Sequence, residues 1–283
     1  MTHDTSHKPG PARIPGSLSL VLPAYNEEGN IEYVVRRALD VLPTVTDAFE
    51  VIVVNDGSRD TTPQIIDALA AEDPRVKPVH QTNKGYGGAV KAGFAASTCD
   101  FVMFMDADRQ FDIKDIRLLA PFVGEYDIVA GFRMERSDPM HRRINAEIFN
   151  IVVRILFGVH LRDLDCAFKI FRGDMIRSLD LTTSGALINA EMQAKLRRQG
   201  ATIEQVGVHH YPRIAGEATG GNLRVIVRAM RETIQLWRRM HRYQPPTTTP
   251  RDQRPYYALG DALLGLASVI GLSIVAKLLR RRR

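Results

Sequence analysis

The chain has 283 residues, 45% of them apolar, enough for one large core or two small ones. Residues 222–283 carry thirteen Lys and Arg against Glu232, Asp252 and Asp261, a net of +10; the whole chain is +6, which leaves −4 for residues 1–221. A mildly acidic body with a strongly basic tail points the tail at an anionic membrane surface or a nucleic acid. Cys99 and Cys166 have neither metal nor redox spacing, which excludes a disulfide scaffold and suits a reducing compartment. Residues 1–16 hold Pro, Gly, Ser and His without an apolar run, so they read as a disordered leader and not as a signal peptide.

In chain order, Leu18–Leu22 reads as a first buried strand, and a helix runs to about Val41 with Ile31, Val34, Val35 and Ala38 at helical spacing. Val51–Val54 is a second strand, ending in Asn55-Asp56-Gly57-Ser58. Thr61 or Thr62 caps the next helix, with Pro63 in its first turn. Val76–Val79 is a third strand, and Asn83-Lys84-Gly85-Tyr86-Gly87-Gly88 opens a helix to about Ala96. The apolar run Phe101–Met105 reads as a strand buried on both faces. A helix near Ile113–Phe122 and a strand Tyr126–Ala130 follow. This strand–helix alternation predicts an α/β fold around a Rossmann-like, mostly parallel sheet.

Three strands end in polar sets: Tyr25 and Glu27, Asp56, and Asp106 with Asp108. Right-handed crossovers place all three ends at one sheet edge, where such folds bind nucleotides. Asp106 and Asp108, one residue apart in an extended chain, face the same way, and Gln110 continues the alternation. Few hard oxygen ligands suit Mg²⁺ or Mn²⁺ with phosphates completing the shell. The bland reading of Asp-x-Asp is a polar turn or helix cap. No G-x-G-x-x-G follows the first strand, and Gly85-Tyr86-Gly87-Gly88 lacks a P-loop ending, so these glycines read as a tight turn under a helix, with Lys84 near phosphate.

The segments L-P-A-Y-N-E-E (22–28), V-V-N-D-G-S-R-D (53–60), N-K-G-Y-G-G-A (83–89) and D-A-D-R-Q (106–110) resemble the inverting family-2 glycosyltransferases of GT-A fold. Among these they are most similar to the dolichyl- and polyprenyl-phosphate sugar synthases. A-G-F-R (130–133), R-R-I-N (142–145), D-L-D-C-A-F-K (163–169), I-N-A-E-M (188–192) and H-Y-P-R-I-A-G (210–216) agree, so the resemblance covers roughly residues 17–222. It implies donor binding by Pro23, Ala24, Tyr25, Glu27, Asp56, Lys84 and Asp106, with Asp56 on the base. It implies that Asp106, Asp108 and Gln110 hold the metal and diphosphate. Arg109 stands where many relatives are apolar, and Ala167 where many have Gly.

The resemblance also implies a lipid-phosphate acceptor. A phosphate monoester, with a second pKa of about 6, attacks without a strong base and needs cations that hold two phosphate-bearing substrates together. Arg133, Arg142, Arg143 and Arg213 are the candidates for the acceptor phosphate; the catalytic set is Asp106, Asp108, Arg133, Arg143 and Glu191. A hydroxyl acceptor would need a base, for which Asp163, Asp165 and Glu191 are available. Glu191 reads from its pattern as a helix-surface acid, and the resemblance brings it near the reaction centre. His209 and His210 point to opposite faces of an extended chain, so they read as structural.

In the tail, Leu223, Ile226, Val227, Met230, Ile234 and Trp237 line one helical face and five arginines another, a basic amphipathic helix over 222–243 with Trp237 at a membrane interface. Packing of this helix on the catalytic domain is the alternative. A linker (244–255) leads to an apolar stretch over 256–283 that anchors the protein by spanning or by monotopic insertion. Gly265, Ala267, Gly271 and Ser273 offer a face for homo-oligomer packing. The apolar stretch favours membrane over nucleic acid as the tail's partner. The expectation is a membrane-attached transferase with a GT-A catalytic domain (17–221) on the cytoplasmic side, moving sugar from a GDP- or UDP-sugar to a polyprenyl phosphate. Transfer to a glycan or glycolipid hydroxyl, and a non-catalytic nucleotide-binding membrane protein, are the alternatives.

Overall fold

The computed structural model of the chain describes residues 13–134, 151–153, 155–159, 161–185, 187–212 and 223–245, without the side chains of 223–231. The elements in chain order are β1 (Leu18–Ala24), α1 (Ile31–Val41), β2 (Phe49–Asn55), α2 (Thr62–Glu72), β3 (Val76–His80), α3 (Tyr86–Ala96), β4 (Phe101–Met105) and α4 (Ile116–Leu119). There follow β5 (Ile128–Arg133), β6 (Phe168–Arg172), α5 (Gly173–Arg177), α6 (Ile188–Arg198), β7 (Ile203–Val208) and α7 (Leu223–Met240). The strands form one sheet in the order β3-β2-β1-β4-β6-β5-β7. β3, β2, β1 and β4 run parallel, β6 is antiparallel to both β4 and β5, and β5 is parallel to β7. This is the mixed, mostly parallel sheet expected.

Alternation along each strand divides the core into two layers. Leu18, Leu20 and Leu22 of β1, Val51 and Val53 of β2, and Phe101 and Met103 of β4 face α1, α2 and α4. Val21, Ile52, Val54, Val102 and Phe104 face α3 and α5. α3 lies so close to the sheet that a Cβ at Gly93 would meet Val21 Cγ1 at 2.2 Å, which fixes where the first turn of that helix sits.

Several expectations are corrected. Arg13–Gly16, placed with the disordered leader, are ordered: Ile14 is buried and its N–H donates to Val45 O at 2.7 Å, while Arg13 pairs with Asp47. Thr61 stands at the N-cap of α2 with Pro63 in the first turn, as expected, but neither Thr61 nor Thr62 makes the capping bond with its side chain. Asp60 accepts from Thr62 N (3.0 Å), and the Thr62 hydroxyl is spent on Glu27 N (2.9 Å). The helix expected over Ile113–Phe122 is four residues of α-helix between two 3₁₀ turns, because Pro121 removes a backbone donor. In α7, Leu236 and Met240 are buried against the second core layer and Trp237 packs beside them, while Arg198 donates to the carbonyls of Met240 and Tyr243. Trp237, partly buried, thus packs against the catalytic domain, the alternative weighed for this helix. Among the described residues no helix is long and apolar enough to cross a membrane. The anchor expected over 256–283 lies outside the described residues.

Candidate active site

Because β1, β2 and β4 are parallel neighbours, their carboxyl ends share one edge. The loops there lock together. Asn26, at φ 55°, donates from its N–H to Ser58 Oγ (3.0 Å) and accepts from Arg59 N (2.8 Å). Glu28 accepts from the N–H and hydroxyl of Thr61 (3.0 and 2.6 Å). Pro23 and Ala24 are buried at the end of β1, with Ala24 O accepting from Asp56 N at 2.9 Å; Tyr25 beyond them is exposed. Glu27 accepts from Asn30 Nδ2 at 2.7 Å.

Asp56 is buried, and its Oδ1 accepts from Gln81 Nε2 (2.7 Å) and from Lys84 N (2.8 Å). Lys84 thus contributes its backbone N–H here, with an exposed side chain. Gln81 escaped sequence reasoning, since one Gln after a strand carries no signal.

At the end of β4, Asp106 Oδ1 accepts the Tyr86 hydroxyl at 3.0 Å. Asp108 is buried and accepts from Gln110 N at 3.1 Å. Gln110 is tied to the segment after β7 by Tyr211 N to Gln110 O (2.9 Å) and by its own Nε2 to Tyr211 O (3.4 Å). Arg109 adopts φ 62° and lays its guanidinium 4.0 Å over the Tyr33 ring of α1, so this departure from the family pattern points away into a cation–π contact. Burial, then the charge of Asp106, raises the Tyr86 phenol well above its ordinary pKa, with Asp165 and Asp108 adding to the effect. Tyr86 is therefore a neutral O–H donor set among three carboxylates.

The donor set fits a small divalent cation. Among the described residues no three of His, Cys, Asp and Glu gather into a metal cage. The two carboxylates at 106 and 108 suit an ion such as Mg²⁺ or Mn²⁺, which keeps waters and takes phosphate oxygens as further ligands.

Arg133, at the end of β5, is held by Asp163 through Nε–Oδ2 (2.6 Å) and Nη2–Oδ1 (2.9 Å). Burial works against its charge, but the bonds to Asp163 outweigh this and raise its pKa. Beneath them Lys169 is fully buried, donating to Leu164 O (3.1 Å) and to Cys166 O, which braces the 163–166 turn. Burial pushes the Lys169 ammonium down and the Cys166 thiol up to about 12. A lone Lys inside Cys166-Ala167-Phe168-Lys169-Ile170-Phe171 was the available signal.

Glu191 is not a surface acid. It is fully buried and accepts from five donors: the N–H and hydroxyl of Thr182, the N–H and hydroxyl of Thr183, and Lys195 Nζ at 2.7 Å. Burial would raise its pKa, but the bonds from Lys195, Thr183 and Thr182 hold it below the usual carboxylate range. His209 binds Asp115 (Nδ1–Oδ2 3.0 Å), while His210 packs against Phe111. Their separate environments match the expected structural roles. Arg142, Arg143 and Arg213 lie outside the described residues.

Set beside known proteins, residues 19–189 match the profile of glycosyl transferase family 2. The chain is 31% identical over 287 residues to glycosyltransferase AglD of Haloferax volcanii, covering 97% of this chain and 44% of that protein. It is 33% identical over 165 residues to undecaprenyl-phosphate 4-deoxy-4-formamido-L-arabinose transferase of Pseudomonas aeruginosa, covering 57% of this chain and 49% of the relative. The chain thus spans about half the length of these curated relatives. Among solved structures it resembles glucosyl-3-phosphoglycerate synthase from Mycobacterium tuberculosis in complex with Mn²⁺ and UDP-glucose, with TM-score 0.60, 22% identity, and 88% and 90% of the two chains covered. That likeness establishes the GT-A-like fold.

Proposed function

The chain belongs to glycosyl transferase family 2, and from that premise we propose that it transfers a sugar, with inversion, from a GDP- or UDP-sugar to a polyprenyl phosphate at the cytoplasmic face of a membrane. The observation that carries this reading is the convergence of Asp56 and the Asp106/Asp108 pair at the carboxyl edge of three parallel strands. Asp56, kept in place by Gln81 and Lys84 N–H, takes the base. Pro23, Ala24, Tyr25 and Glu27 border the nucleotide, and Lys84 faces its phosphates. Asp106 and Asp108, with Gln110, hold Mg²⁺ or Mn²⁺, which when bound offsets charge on the departing diphosphate.

The acceptor phosphate is already ionised near neutral pH and attacks without a base. The saturated hydrogen bonding of Glu191 supports that reading, because a carboxylate with five donors is poorly placed to take a proton. Arg133, with Arg142, Arg143 and Arg213, receives the acceptor phosphate, and Asp163 orients the Arg133 fork. The undecaprenyl-phosphate transferases among the relatives support a polyprenyl acceptor. Attachment falls to residues 256–283, with the Pro/Thr linker before them and self-association through Gly265, Ala267, Gly271 and Ser273.

Transfer to a hydroxyl is the second reading, with Asp165 as an available base; its charge adds to the upward shift of the Tyr86 phenol. A panel of radiolabelled nucleotide sugars, offered a polyprenyl phosphate and the corresponding free glycan or glycolipid, decides between them. Product on the lipid phosphate, abolished by a chelator, is expected; product on hydroxyl acceptors alone rejects the first reading. Deleting 252–283 is expected to weaken membrane attachment and to preserve transfer to a short soluble polyprenyl phosphate.

A further inference from the structure

Tyr86 is the first residue of α3, and its hydroxyl reaches Asp106 Oδ1 at 3.0 Å. The start of α3 is pinned by the chain at 182–184. Gly87 N–H donates to Ser184 O at 2.8 Å, and a Cβ at Gly87 would meet Thr183 O at 2.8 Å, so this turn admits no side chain. Further along, the close seat of Gly93 on Val21 prevents the helix from sliding. Residues 182–183 in turn hang on Glu191, whose two oxygens take both backbone N–H groups and both hydroxyls, with Lys195 completing the shell. One continuous path therefore leads from a buried carboxylate in α6, through a loop and a glycine turn, to the phenol on Asp106.

We propose that Tyr86 is a positioning residue for the metal-binding carboxylate of Asp106, and that Glu191 acts on the same carboxylate through residues 182–184 and Tyr86. This rests on the reading of Asp106 and Asp108 as metal ligands. Partners that orient ligating groups typically control metal affinity by 10–100-fold. The path gives Glu191 a function that its lack of spare acceptor capacity denies it as a base. It also gives the tyrosine between the glycines of the 83–89 segment a task that a plain helix turn leaves unexplained.

The test is Mn²⁺ binding to the full chain, by electron paramagnetic resonance and calorimetry, with UDP or GDP present and absent. Tyr86→Phe removes one oxygen, and it is expected to weaken Mn²⁺ binding by about 10-fold or more with the thermal midpoint and metal-free nucleotide binding unchanged. Glu191→Gln is expected to weaken binding in the same direction. The double variant is expected to be no weaker than Tyr86→Phe alone, because both changes act through the phenol. If Glu191→Gln does not fold, Thr183→Val, which removes one donor to Glu191, reads the same link. Wild-type affinity in Tyr86→Phe overturns the proposal, and wild-type affinity in Glu191→Gln, or additive losses in the double variant, overturns its Glu191 limb. A wild-type protein that binds no Mn²⁺ even with nucleotide removes the metal reading and the relay together, and the wild-type arm distinguishes that failure from the others.

Discussion

The two sides of the sheet use charge in opposite ways. Across β3-β2-β1-β4 the ionised groups stand at the strand ends, in loops that hold them by backbone N–H groups: Asp56 on Lys84 N, Asp108 on Gln110 N, Glu28 on Thr61 N. Across β6-β5-β7 and the helices behind them, charge goes inside. Lys169, Glu191, Lys195 and Asp163 are all buried, each paired with an opposite charge or with carbonyls. A buried charge is tolerated only when it is paired and hydrogen-bonded; Asp56 and Asp108 are equally buried and accept from N–H donors, whereas Lys169, Glu191, Lys195 and Asp163 are held by opposite charge or carbonyls and become architecture. Charge in a buried position is therefore a poor guide to which residues touch substrate.

The sharpest way to break this contrast is Asp163→Ala. It leaves the mostly buried Arg133 fork without its partner, and it is expected to cost about 3–5 kcal/mol of stability in urea unfolding; a loss confined to activity would put Asp163 with the edge group. Next in size, Asp108→Asn is expected to lower transfer by at least about 100-fold, more than the loss of an outer partner, with the urea midpoint unmoved. Radiolabelled transfer beside an unfolding curve checks it, and a chelator should silence the wild type equally. Normal turnover with wild-type metal binding would falsify the assignment.

The third test uses acid. Glu191 has a folded pKa below its unfolded value near 4.5, so the stability it supplies is complete above that value and is lost as pH falls through the lower folded one. Wild type is thus expected to lose stability more steeply than Glu191→Gln below about pH 4.5; parallel curves would count against a depressed pKa. The smallest effect is expected at Arg109, where replacement by Leu removes a half-buried cation–π contact worth about 0.5–1 kcal/mol. A loss in metal affinity larger than this loss of stability would tie the stack to the site.

The same contrast explains how much was legible in the sequence. The parallel half announces itself: Leu18, Leu20 and Leu22 on one face, five apolar residues before Asp106, and acids after β1, β2 and β4 make the elements and their shared edge legible. The second half hides. β6 carries Lys169 in its middle, and β7 is half-buried with Glu204 and Gln205 inside it, so neither has the simple period of a strand. α6 is buried from Ile188 to Lys195, including Glu191 and Gln193, which makes an amphipathic reading of Glu191 wrong. Trp237 carries two readings for a similar reason, since a Trp beside arginines looks alike whether its neighbour is lipid or protein. Pairing between distant residues, such as Arg133 with Asp163 and Tyr86 with Asp106, leaves no local pattern at all.

The two thiols lie in unlike surroundings, and this makes the native chain its own spectroscopic ruler. Cys166 is enclosed, with a thiol raised to about 12, so near neutral pH it stays protonated and silent toward alkylating reagents. Cys99 is partly exposed, just before the amino end of β4. A nitroxide or dye therefore attaches at Cys99 alone, with no cysteine engineered or removed. β4 then runs for five residues toward Asp106, setting the label roughly 20 Å from Asp106 and Asp108 at about 3.3 Å per residue. That is far enough to leave the chemistry undisturbed and near enough for bound Mn²⁺ to broaden the label's signal.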